Sequence, residues 1–121
     1  MAMGRILIIE DDADLLSALR DMLSGAGHEV RVASSAPAAM REYRQHGADV
    51  IITDLFIPDV DGLALVRELG AEVTVIAISG GGQLGQPDVL QDAEEFGAWR
   101  TLQKPFTRAQ LVALVSEALA R

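Results

Sequence analysis

The sequence predicts an α/β fold in which one parallel, five-stranded sheet is covered by helices on both faces. Three observations carry that prediction. Short β-branched runs recur five times, amphipathic stretches of helical period lie between them, and glycines or hydroxyl side chains punctuate the joins. With 121 residues, half of them hydrophobic, the chain can bury one sizeable core and reads as a single domain over residues 1–121.

The first strand is expected over Arg5–Ile9, an uninterrupted aliphatic run after its arginine. Leu15, Leu16, Leu19, Met22 and Leu23 then share one helix face, with Gly25 and Gly27 as the stop. A second strand over Glu29–Ala33 alternates apolar and polar residues. Ser35 stands where an N-cap belongs, ahead of a stripe of Ala39, Met40 and Tyr43 that ends at Gly47. The third strand spans Asp49–Thr53, followed by a short stripe of Leu63, Val66 and Leu69 with Gly70 as its stop. The fourth covers Thr74–Ile78; Val89, Leu90 and Ala93 follow it, up to Gly97. The fifth, Arg100–Gln103, is largely polar and leads to Thr107, the N-cap expected for a last stripe of Leu111, Leu114, Val115 and Ala118.

Composition also ranks the strands. Strands 1, 3 and 4 are nearly continuous Ile, Leu, Val and Ala, as strands buried on both faces should be, whereas 2 and 5 read as edges. That ranking matches the flavodoxin-like, doubly wound strand order 2-1-3-4-5.

Several function classes fall away on composition. A net charge of −8 argues against direct contact with nucleic acid, which needs clustered Lys and Arg. No apolar run approaches the ~20 residues of a membrane helix, and the N-terminus lacks an export signal, so a cytoplasmic protein without membrane contact is expected. The absence of cysteine removes disulfides and thiolate metal sites.

In open parallel sheets, ligands bind beyond the carboxyl ends of the strands. Strand 1 runs into Glu10, Asp11 and Asp12, strand 3 into Asp54, strand 4 into Ser79 and strand 5 into Lys104. Each residue has a bland reading by itself. Asp12 reads equally well as a helix cap, Asp54 and Ser79 as turn residues, and Lys104 as a surface lysine. Together the bland readings fail on energy: two carboxylates ~4 Å apart repel by roughly 4 kcal/mol at an effective dielectric of 20. One lysine cannot neutralise three such groups. Oxygen ligands without His or Cys beside them suit Mg²⁺ or Mn²⁺. A cation, a lysine and a hydroxyl around Asp54 form a site for phosphoryl oxygens, with the Asp54 carboxylate as the attacking group. The triplet Gly80-Gly81-Gly82 lets backbone N–H groups approach an anion, although by itself it reads more simply as a loop. His28 and His46 are expected to be ordinary loop residues at the opposite ends of strands 2 and 3.

These residues resemble the response-regulator receiver family along nearly the whole chain. Arg5 to Asp11 is similar to its first strand and acidic pair, Asp49 to Pro58 with Asp61-Gly62 to its phosphoacceptor strand and turn, Ser79 to its Thr/Ser, and Lys104-Pro105-Phe106 to its Lys-Pro-Phe. The resemblance implies Asp54 as phosphoacceptor. It implies metal contacts from Asp11, Asp54 and the Phe56 carbonyl, with Glu10 acting mostly through water. Phosphoryl contacts would come from Ser79, the Gly80 N–H and Lys104, and Lys104–Pro105 is a candidate cis bond. It further implies a protein that is not an enzyme beyond its own phosphorylation and dephosphorylation. A sensor histidine kinase or histidine phosphotransfer protein would be the donor, a small acyl phosphate an occasional one, and a downstream protein the reader.

Two features depart from the family pattern. Thr101 stands where an aromatic is usual on strand 5, and the Gly80–Pro87 segment is longer than usual. With Ser79 and Thr101 as the switch pair, phosphorylation is therefore expected to reshape residues 80–96 more than strand 5, with Trp99 as reporter. The last stripe reaches Arg121, so the expectation is a stand-alone receiver or a piece of a larger protein, with no output domain within these residues. The main alternative, a haloacid-dehalogenase-type phosphohydrolase, needs Asp-x-Asp after strand 1, where Glu10 stands, and a late acidic cluster. A flavodoxin would need a phosphate loop where the anionic Glu10–Asp14 lies, and a dinucleotide-binding domain would need Gly-x-Gly-x-x-Gly.

Overall fold

The computed structural model describes residues 3–57, 60–80 and 89–121, the side chains of 89 and 90 excepted. Strands and helices alternate: β1 (Arg5–Ile9), α1 (Ala13–Gly25), β2 (Glu29–Ala33), α2 (Ala36–His46), β3 (Val50–Asp54), α3 (Gly62–Gly70), β4 (Thr74–Gly80), α4 (Val89–Phe96), β5 (Arg100–Lys104) and α5 (Arg108–Leu119). The strands pair in parallel in the order β2-β1-β3-β4-β5, which is the predicted order.

Successive side chains of a strand point to opposite faces, and this divides the core in two. Leu7, Ile9, Ile51, Val75 and Ala77 pack with residues of α2, α3 and α4 on one face. Ile6, Ile8, Ile52, Ile76 and Ile78 meet Leu19 and Leu23 of α1 and Leu111, Val115 and Ala118 of α5 on the other. The central strands are buried but for Arg5, exposed at the start of β1, and the half-buried ends of β4, whereas the edges β2 and β5 are largely half-buried.

The caps follow from chemistry at the helix starts. The Asp12 carboxylate accepts from the N–H groups of Asp14 and Leu15, Ser35 from Ala38, and Thr107 forms a reciprocal capping box with Gln110. Asp61 caps α3 in the same way, accepting from Leu63 and Ala64. Gly47 and Gly97, with φ of +68° and +132°, lie where the chain reverses in a conformation that favours glycine.

Three expectations need correction. Gly70 does not stop α3 but is its last residue, with Ala71 as cap; a Cβ there would lie 2.6 Å from the Gly97 carbonyl oxygen, so close helix-to-turn contact explains the glycine. Neither histidine is a plain loop residue. His28 is buried and its Nδ1 accepts the Gly4 N–H at 3.2 Å, whereas His46 closes α2 and faces Glu42 at 3.8 Å. Strand bounds shift as well: β3 starts at Val50 and includes Asp54, β4 extends to Gly80 and β5 to Lys104. The ladder pairs Asp54 with Ile78, Ser79 with Gln103 and Gly80 with Lys104, so these four candidate residues belong to the sheet rather than to loops.

Candidate functional site

Each candidate side chain leaves the carboxyl end of a strand. β3 is the middle strand and carries Asp54, buried at 4% exposure; its neighbour β1 delivers Glu10, buried at 1%. Asp11 follows and is exposed. Carboxylate oxygens of Glu10, Asp11 and Asp54 all lie within 4.8 Å of one another. Lys104 reaches across from edge strand β5, its Nζ 2.7 Å from Asp54 Oδ2 and 3.3 Å from Glu10 Oε1. Backbone groups complete the frame. The Phe56 N–H donates to Asp54 Oδ1 at 2.8 Å, and the Asp12 N–H donates to Glu10 Oε2 at 3.2 Å.

The charge balance is unfavourable. Glu10 and Asp54, both out of water, share one ammonium, and a third carboxylate, that of Asp11, lies beside them. Burial pushes the Glu10 carboxyl up to about 7, and the neighbouring Asp54 adds to the shift against the opposing Asp12 N–H and Lys104. Burial works against the Lys104 ammonium, but its bonds to Asp54 and Glu10 outweigh that and raise its pKa. The donor set fits a hard divalent cation: three carboxylates converge, and the protein holds no thiol.

Ser79 is buried on β4, one residue beyond the partner of Asp54, and Gly80 follows it opposite Lys104. The Lys104–Pro105 bond is cis, as the resemblance implied. Thr101 stands apart from the acidic cluster, with its hydroxyl 3.5 Å from a Glu94 carboxylate oxygen on α4. Pro58 and residues 81–88, which hold most of the long glycine-rich segment, lie outside the described residues. Two backbone donors, at Asp12 and Phe56, escaped the sequence reading because main-chain contacts leave no residue signature. Gly62 carries a visible signal in Asp61-Gly62, but its reason is spatial: a Cβ there would run into the Leu55 carbonyl oxygen.

Fold and rim together define an α/β domain with an acidic, lysine-bridged site at the carboxyl edge of its sheet. A family model described as the response regulator receiver domain matches residues 6–116, and the chain belongs to that family. The chain is 33% identical to the DNA-binding transcriptional regulator NtrC of a Bradyrhizobium strain, over 99% of this chain and 25% of that protein. It is 29% identical to the chemotaxis protein CheY of Bacillus subtilis, over 95% of this chain and 97% of that one. A receiver domain protein from Clostridium thermocellum superposes with a TM-score of 0.88 at 31% identity, over 98% of this chain and 96% of the other. NtrX from Brucella abortus gives a TM-score of 0.90 at 28% identity, over 98% of this chain and 27% of that chain. The chain thus spans about a quarter of the longer regulators and nearly the full length of the small receivers. Among the described residues no helix is long and apolar enough to cross a membrane.

Proposed function

We propose that Asp54 accepts a phosphoryl group from a sensor histidine kinase or histidine phosphotransfer protein, with Mg²⁺ or Mn²⁺ as cofactor, and that a downstream protein reads the resulting change. The observation that carries this reading is the convergence of Glu10, Asp11 and Asp54 within 4.8 Å, with Lys104 on Asp54 at 2.7 Å. When bound by Glu10, Asp11, Asp54 and the Phe56 carbonyl, the cation would neutralise charge on the carboxylates and on phosphoryl oxygens.

The chain's own residues have distinct tasks. Asp54 Oδ1 is held by the main chain and Oδ2 by a movable ammonium. Lys104 must release Oδ2 for that oxygen to attack phosphorus. The donor's imidazole or acyl oxygen departs with the bonding electrons, and the Lys104 ammonium then pairs with the phosphoryl group. Ser79 and the Gly80 N–H, at the end of the adjacent strand, would take other phosphoryl oxygens. Ser79 and Thr101 would form the switch pair. Chemistry is limited to the domain's own phosphorylation and dephosphorylation. A donor fed by ATP puts the domain in the cytoplasm, and a net charge of −8 favours a protein reader over nucleic acid. Residues 1–121 would work as a single receiver domain.

Incubation with acetyl phosphate and Mg²⁺ should add one phosphoryl group, labile to hydroxylamine, and Asp54→Asn should gain none. An Asn variant phosphorylated at the wild-type rate would assign the acceptor elsewhere.

A further inference from the structure

Within β3 the run Val50-Ile51-Ile52 is broken by Thr53, which is completely buried. Its ladder partners are Ile9 on β1 and Ala77 on β4, both apolar. On its own face of the strand, Ile51 and Leu55 belong to the apolar cluster. A hydroxyl placed there is unfavourable unless it is hydrogen-bonded. Valine would fill the same β-branched volume without that penalty. Thr53 Oγ1 does find a partner, donating to the Asp54 carbonyl oxygen at 3.1 Å.

The position of that bond gives it a purpose. The β1–β3 ladder ends at the pair Ile9–Thr53, one residue short of Asp54. Glu10, next along β1, faces β2 and donates its N–H to the Ala33 carbonyl. Among the described residues no main-chain N–H is bonded to the Asp54 carbonyl oxygen, and the Thr53 hydroxyl holds it. The Leu55 N–H of the Asp54–Leu55 peptide donates to the Ile78 carbonyl oxygen at 3.1 Å, and the tether holds the carbonyl of the same peptide. Through it, the tether sets the Phe56 N–H that grips Asp54 Oδ1 at 2.8 Å.

We infer that Thr53 is a positioning residue for the phosphoacceptor: its buried hydroxyl anchors the Asp54 carbonyl where the sheet ladder stops. The inference rests on Asp54 being the acceptor. Its test compares wild type, Thr53→Val and Thr53→Ser, with Thr53→Ala as a second hydroxyl-free variant should the valine fold poorly. Acetyl phosphate and saturating Mg²⁺ supply the phosphorylation rate per folded molecule, and amide hydrogen exchange at Leu55 and Phe56 supplies a readout free of phosphorylation. Val or Ala should slow phosphorylation by about tenfold, the loss expected when a reacting group is left loosely oriented, and should speed exchange of the Phe56 amide. Ser should restore both. Wild-type rate and exchange in Thr53→Val would overturn the inference, as would an equal loss in Thr53→Ser, which would trace the effect to the methyl group. If wild type itself takes no phosphoryl group, the assignment of Asp54 fails separately, and amide exchange alone decides whether Thr53 tethers this backbone.

Discussion

The two rims of the sheet treat charge in opposite ways. At the amino end, Arg5 and Asp49 pair one to one: the guanidinium lies 3.3 Å from Asp49 Oδ1, the Arg5 N–H donates to Oδ2 at 2.8 Å, and both side chains are exposed. The Arg5 backbone and side chain together hold the Asp49 carboxyl below its ordinary 3.8. At the carboxyl end, three carboxylates cluster, one lysine pairs with two of them, Glu10 and Asp54, and Glu10 is pushed up to about 7. The first rim is settled as it stands. The second is poised for an added positive charge, and that imbalance marks it as a site for ligand rather than for stability.

Replacing Lys104 should sharpen the contrast in stability and in signalling together. Lys104→Ala leaves Glu10 and Asp54 facing each other without their cation and should cost on the order of 2 kcal/mol at pH 8, reduced from the fully buried case by partial exposure. Phosphorylation should slow by about tenfold or less, while the Trp99 fluorescence response to beryllofluoride is lost. A variant with normal metal binding but no transfer at all would give Lys104 a different role.

The next effect is in pH. A carboxyl raised in the folded state keeps a proton that the unfolded chain gives up, so its contribution is fully present below 4.5 and is lost as pH rises through about 7. Metal-free protein should therefore lose up to about 3 kcal/mol over that window on account of Glu10. Denaturant titrations of Glu10→Gln should show this slope removed; an unchanged slope would mean that the strain resides elsewhere. Asp49 has the opposite sign, since its lowered pKa stabilises the fold above 3.8 and the gain is lost as pH falls through the folded value. Asp49→Asn should cost under about 1 kcal/mol at neutral pH because the pair is exposed, and a loss several times larger would end the picture of a settled, marginal rim.

Much of this architecture was legible because it rests on local pattern. Aliphatic runs marked the three central strands, and the residues closing β1, β3, β4 and β5 named Glu10, Asp11, Asp54, Ser79 and Lys104 before any geometry. What escaped depends on approach in space. Ser79-Gly80 reads as a turn until pairing with β5 draws it into β4. Gly70 reads as a stop until the Gly97 carbonyl is seen against it, and His28 as a loop residue until its ring meets Gly4. Thr53 carried a faint signal, a polar residue closing an apolar run, whose meaning lay in where the neighbouring strand ends.

A carboxyl rim strained by its own charge should be relieved by a divalent cation. The thermal midpoint of unphosphorylated wild type and Asp11→Asn, with and without Mg²⁺, tests it most directly. Without metal Asp11→Asn should melt above wild type, and Mg²⁺ should raise the wild-type midpoint while leaving the variant nearly unmoved. A variant that melts below wild type without metal, or gains as much from Mg²⁺, would contradict it.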